Sequence, residues 1–116
     1  MNRQAAYDLV CQYTASESLR RHMLSVEAAM RSYARKYDED EQKWGIVGLL
    51  HDFDYERWPN PPDHPLKGAA ILTDLGYPPD VIYAIKSHAD YLPDFPRVSR
   101  LDKTLYACDE LTGLIM

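Results

Sequence analysis

Apolar residues recur every three or four positions along most of this chain, and no stretch reads convincingly as a strand. That spacing places apolar side chains on one face of a helix. The pattern predicts six helices and an all-α fold. The first covers residues 2–13, with Ala6, Leu9, Val10 and Tyr13 on its inner side. Thr14-Ala15-Ser16-Glu17 reads as a capping box opening a second helix to about Tyr37. Its buried stripe is Leu19, Met23, Val26, Met30 and Tyr33, with His22 beside it. The acidic run Asp38-Glu39-Asp40-Glu41 suits a helix N-terminus. A third helix is therefore predicted from Asp40 to Asp52, with Trp44, Val47, Leu50 and His51 sharing a face.

Prolines divide the rest. Pro59, Pro61 and Pro62 make residues 53–63 a loop. Pro65 suits the first turn of a fourth helix and Gly76 the position just past its end, which puts His64 at or near the cap. Pro78-Pro79-Asp80 opens a fifth helix to about Ala89, with Val81, Ala84, Ile85 and His88 facing inward. After a loop at residues 91–96, Ser99-Arg100-Leu101-Asp102 reads as an N-cap with an acid in the first turn. The last helix carries Leu101, Leu105, Cys108, Asp109 and Thr112 on one side. It is still apolar at Leu114-Ile115-Met116, so the chain is expected to be a fragment of a longer protein or to lack a further helical segment.

A chain of 116 residues fits one domain with its own core, residues 1–116. Its net charge of −5 argues against a nucleic-acid module, which needs a basic footprint. A small phosphorylated substrate stays open, because a metal can supply local positive charge. Two cysteines in different helices, with no C-x-x-C pair, point to a reducing, cytoplasmic setting. The first residues lack the apolar core of a signal peptide, and no run is long enough to span a membrane. A homodimer is compatible with all of this.

The chemistry rests on few residues. There are four histidines, His22, His51, His64 and His88, each on an inner helix face or at a helix terminus. Asp52 follows His51, and Asp109 sits among apolar neighbours. Any one of these is more often a hydrogen-bonded core residue or a cap than a ligand. As a set on one small helical scaffold they suit a divalent transition metal, which neutral imidazoles and carboxylates bind. Lys67, three residues after His64, and Lys86, two before His88, are candidate phosphate contacts; an exposed, solvated side chain is the competing reading for both. Asp54 reads as an acid or base, or as a loop residue bonding nearby backbone. Phe53, Tyr55, Arg57 and Trp58 could stack on a ring or meet a phosphate, or pack the loop onto the bundle.

The segments Leu19-Arg20-Arg21-His22, Gly48-Leu49-Leu50-His51-Asp52, His64-Pro65-Leu66-Lys67-Gly68-Ala69, Ala84-Ile85-Lys86-Ser87-His88 and Tyr106-Ala107-Cys108-Asp109-Glu110-Leu111 resemble the HD-domain superfamily. That family is named for adjacent His-Asp metal ligands. The resemblance covers residues 16–116. It implies a helical bundle and a metal-dependent phosphohydrolase, in which metal-activated water attacks a phosphomonoester or phosphodiester, often a nucleotide. It implies that His22, His51, Asp52 and Asp109 hold one metal. It also implies that His64 and His88 serve a second, with Asp52 as bridge and catalytic centre. One or two ions of Mn, Fe, Ni, Co or Mg are expected. Two other readings share this ligand set: a di-iron oxygenase of the myo-inositol oxygenase kind, and a metal-binding regulatory module without turnover.

Overall fold

The computed structural model describes residues 2–115, with side chains as far as Leu111. Within them the chain forms α1 (Arg3–Tyr13), α2 (Glu17–Lys36), α3 (Glu41–Leu50), α4 (Asp63–Asp74), α5 (Pro79–Ser87) and α6 (Arg100–Ile115), and no strand. Thr112 and residues 114–116, which the periodicity places on and after the last apolar face, lie outside the described side chains. No helix among the described residues is long and apolar enough to cross a membrane.

The bundle is built around α3. Every residue from Trp44 to Leu50 is buried, so this helix has no solvent face along that stretch. Such a helix belongs at the centre of a fold. The predicted one-sided stripe understates this, because Gly45 and Gly48 fill the positions where a polar face would stand. The longest helix, α2, packs along α3, while α1, α5 and α6 close the remaining sides. Gly48 permits the α2–α3 approach. A Cβ there would lie 2.9 Å from the Val26 carbonyl oxygen and 3.0 Å from the Glu27 nitrogen. Those are backbone atoms, which cannot turn aside as a side chain can.

Several boundaries differ from the sequence reading for local reasons. Ser16, not Thr14, caps α2, since its side chain accepts from the Leu19 N–H. Thr14 is fully buried and donates its hydroxyl to the Phe53 carbonyl. The reciprocal half of the cap comes from across the fold, where Glu56 accepts from the Ala15 and Ser16 N–H groups. Tyr33 is 37% exposed, and Ala34 takes the buried position instead, because a 3.6-residue period drifts along a 20-residue helix. The third helix ends at Leu50, with His51 as its C-cap, so Asp52 already lies in the following turn.

Other expectations hold. Asp40 caps α3 by accepting from the Lys43 N–H. Gly76 follows α4 with φ 83°, a left-handed conformation in which a Cβ would be strained. Ser99 caps α6 by accepting from the Asp102 N–H, and Asp102 reaches back to the Ser99 and Val98 N–H groups. That closes a full capping box.

Replacing glycine by alanine inside a helix ordinarily stabilises by about 1 kcal/mol through backbone entropy. At Gly48 the clash with α2 outweighs that gain. Gly48→Ala is expected to lower stability by roughly 1–3 kcal/mol, read as a lower midpoint in urea denaturation. An unchanged or raised midpoint would show that the two backbones can part without cost.

Candidate metal centre

Two of the four histidines stand at helix ends and use the same local device. His51 caps α3 and His88 caps α5. Each turns Nδ1 back to donate to the carbonyl three residues earlier: Gly48 at 2.6 Å for His51, and Ile85 for His88. The last turn of a helix has unpaired carbonyls, so the ring satisfies the backbone while the backbone fixes the ring. His64 is aimed differently. Its φ/ψ of −87°/126° is extended, so the regular helix begins at Pro65 and His64 stands at its entrance. Its Nδ1 donates to Asp54 Oδ1 at 2.6 Å.

With Nδ1 committed as donor, a neutral imidazole carries its lone pair on Nε2. All three Nε2 atoms point at Asp52, and that of His51 also at Asp109. His51 Nε2 lies 3.2 Å from Asp52 Oδ2 and 3.1 Å from Asp109 Oδ1. From α2, His22 Nε2 lies 2.9 Å from Asp109 Oδ1 and 3.5 Å from Asp52 Oδ2. On the other side His64 and His88 lie 3.1 and 3.3 Å from Asp52 Oδ1. Asp52 thus divides its two oxygens between two groups of donors. The groups are His22, His51, Asp52 and Asp109, and Asp52, His64 and His88, each with ligand atoms within 4.8 Å of one another. All six residues that the sequence singled out as ligands converge here.

This donor set fits divalent metal. Four imidazoles and two carboxylates with lone pairs aimed inward, and orienting partners behind three of the rings, match a transition-metal site. The charges of the metal-free cluster say the same. Hydrogen bonds to Asp109 and Asp52 raise His22 to a pKa of about 9. Burial pulls His64 down, but Asp52 and Asp54 outweigh it and raise it to about 9. Burial likewise opposes charge on Asp52, yet His51, His22 and His64 hold it well below the usual carboxylate range. Protons therefore occupy the positive role that a cation would take.

Asp54 is the residue that sequence reasoning misjudged. It is 1% exposed, and its partners are distant rather than local. Besides orienting His64, it accepts from the Gly68 N–H at 2.9 Å through Oδ2. Gly68 makes room for this: a Cβ there would come within 2.8 Å of the carboxylate. No spacing rule links Asp54 to a histidine ten residues on, although a second aspartate two positions after Asp52 was a visible hint.

The cluster opens into a cavity of about 400 Å³, of the size that small ligands fill. Larger hollows elsewhere, such as the one between Tyr33 and Leu111, carry no such donor set. Tyr55, Tyr91, Leu19 and Asp90 line the mouth. Lys67 is exposed and is not among the lining residues. The Lys86 ammonium sits 4.7 Å from the centre of the Phe95 ring. Of the four loop residues proposed as ligand contacts, Phe53 is buried, and Arg57 and Trp58 pack on Tyr13. Only Tyr55 reaches the cavity.

Two outcomes follow for metal binding. His22 and His64, with pKa values raised to about 9, are protonated at pH 7, and an ion must displace those protons. Mn2+ affinity is expected to fall as pH drops from 9 to 6, by up to roughly tenfold per unit for each proton displaced. Calorimetry in buffers of different ionisation heat reads both the affinity and the proton release; a flat profile without proton release would contradict this picture. Asp54→Asn keeps the shape but loses the charge behind His64. It is expected to weaken one class of bound metal by about 10–100-fold, measured by metal titration.

Comparison with known proteins agrees with this geometry. The family model described as HD domain matches residues 19–114. A crystal structure of a predicted HD superfamily hydrolase involved in NAD metabolism, from Clostridium acetobutylicum, has the same fold. It superposes with a TM-score of 0.64 at 23% identity, over 94% of this chain and 68% of that one. No curated protein matches the chain. The matched span takes in nearly the whole chain and all six converging residues, and on that ground the chain belongs to the HD-domain family.

Proposed function

We propose that this protein is a metal-dependent hydrolase of phosphomonoesters or phosphodiesters, with nucleotide-like esters the expected substrates. One observation carries the reading: a single carboxylate, Asp52, sits between two groups of imidazoles, and three of the four rings, His51, His64 and His88, already have Nδ1 committed as a donor. One or two divalent ions held there (Mn, Fe, Ni, Co or Mg) would lower the pKa of a water and polarise a phosphoryl oxygen.

The chain's own residues do the rest. His51 and His88 are fixed by helix carbonyls and His64 by Asp54, so little motion is needed to present their lone pairs. Asp52 and Asp109 supply the negative charge that selects a cation. No lysine or arginine lines the cavity among the described residues. Positive charge at the phosphate would then come chiefly with the ion, which supports a metal-dependent reaction. Lys67 enters the proposal as an exposed cation three residues beyond His64, outside the lining. Cys11 and Cys108 are free thiols, in keeping with action in the cytoplasm. The predicted HD superfamily hydrolase from Clostridium acetobutylicum supports hydrolysis as the reaction class.

The test is a panel of phosphate esters assayed for phosphate release with Mn2+, Co2+, Ni2+, Fe2+ or Mg2+, beside oxygen uptake by anaerobically purified protein. Phosphate release is expected, and Asp52→Ala should lower it by more than roughly 100-fold while circular dichroism stays unchanged. Oxygen uptake without phosphate release would replace the hydrolase with the di-iron oxygenase. Metal binding with neither activity would leave a regulatory module.

A further inference from the structure

Two tyrosines stand at the mouth of the metal cavity, and neither is needed to build the core. Tyr55 and Tyr91 are each 41% exposed, and both line the cavity beside His64. The Tyr55 ring meets the His64 ring edge-on, with centroids 5.4 Å apart. Tyr91 donates its hydroxyl to the His64 backbone carbonyl. Each tyrosine is therefore held at one edge or tip while much of its ring stays in solvent. The other aromatics of the Tyr55 loop do the opposite: Phe53 is buried and Trp58 packs on Tyr13. An exposed ring fixed in place is an organised apolar surface, and it loses little entropy when something flat settles on it.

We propose that Tyr55 and Tyr91 form a stacking rim that selects phosphate esters whose alcohol portion carries a planar ring. The arrangement has a direction. Both tyrosines adjoin His64, Tyr55 through its ring and Tyr91 through its hydroxyl, on the Asp52–His64–His88 side of the cluster. A phosphate seated at the cluster thus points its organic part across that side. Leu19, on α2 three residues before His22, also lines the cavity and offers apolar bulk but no flat face. The rim rests on the phosphoester reading for its substrate class, but it can be tested by binding alone.

AMP and ribose 5-phosphate share a sugar and a phosphate and differ by the purine. Their dissociation constants for Mn2+-loaded protein, from calorimetry, and their kcat/KM values, from phosphate release, are both to be read. Stacking on an aromatic side chain typically favours the ring-bearing ligand by about tenfold or more. The AMP to ribose 5-phosphate preference is expected at that level in the native protein. It should fall toward one in Tyr55→Leu and in Tyr91→Leu. It should fall less in Tyr91→Phe, which keeps the ring but loses the bond to His64 that fixes it, than in Tyr91→Leu. A native preference near one overturns the rim, as does a preference that survives both leucine variants. Equal release of phosphate from both probes would sink the rim and leave the hydrolase. Tighter AMP binding with no phosphate from either probe would leave the rim and remove the phosphomonoester half of the hydrolase reading.

Discussion

Everything in this fold answers to the burden of placing two carboxylates, Asp52 and Asp109, among four imidazoles at the inner end of one cavity. A carboxylate taken out of water must be compensated by positive charge and by donors. Here the imidazoles supply both, or yield that role to a cation. The compensation works only if Nε2 atoms from four separate segments arrive within hydrogen-bond distance of two side chains. Those segments are α2, the end of α3, the start of α4 and the end of α5, with Asp109 arriving from α6. The bundle can thus be described as a means of bringing these points together.

The means are economical because backbone and site share atoms. The Gly48 carbonyl is a helix-end acceptor that holds His51, and the missing Gly48 side chain lets α2 carry His22 close to it. One residue thereby governs the approach of two helices and the aim of two ligands. Gly68 does the same on the other side, where its N–H and its bare Cα both accommodate Asp54, which in turn aims His64. Packing and chemistry are not separable at either position.

The loop after His51-Asp52 has a divided role. Thr14 ties down its Phe53 carbonyl, and Glu56 reaches across to close the N-terminus of α2. Phe53, Arg57 and Trp58 gather on Tyr13. Asp54 and Tyr55 turn the other way, toward the cavity. Six consecutive residues thus join α1, α2 and the metal centre, which explains how a segment free of regular helix stays ordered enough to orient a ligand.

Much of this was legible in the chain itself. Helical periodicity, proline breaks and the caps at Asp40 and Ser99 act over three or four residues, so the six helices and their approximate ends could be read directly. The ligand set was legible because histidines are few and each lies on an inner face or at a helix end. Other features needed the folded chain. Thr14 looked like a cap, yet it serves Phe53 across 39 positions and leaves Ser16 the task. Asp54 looked like a local loop residue, yet its partners are His64 and Gly68. Tyr91 gave no signal, and Lys67 stands outside the lining it was expected to join. The sequence by itself determined which elements form and which donors exist, since both follow from neighbours along the chain. Only the tertiary structure decided which side chain stands behind which ligand and which ring faces the cavity, because those partners meet only when the helices pack.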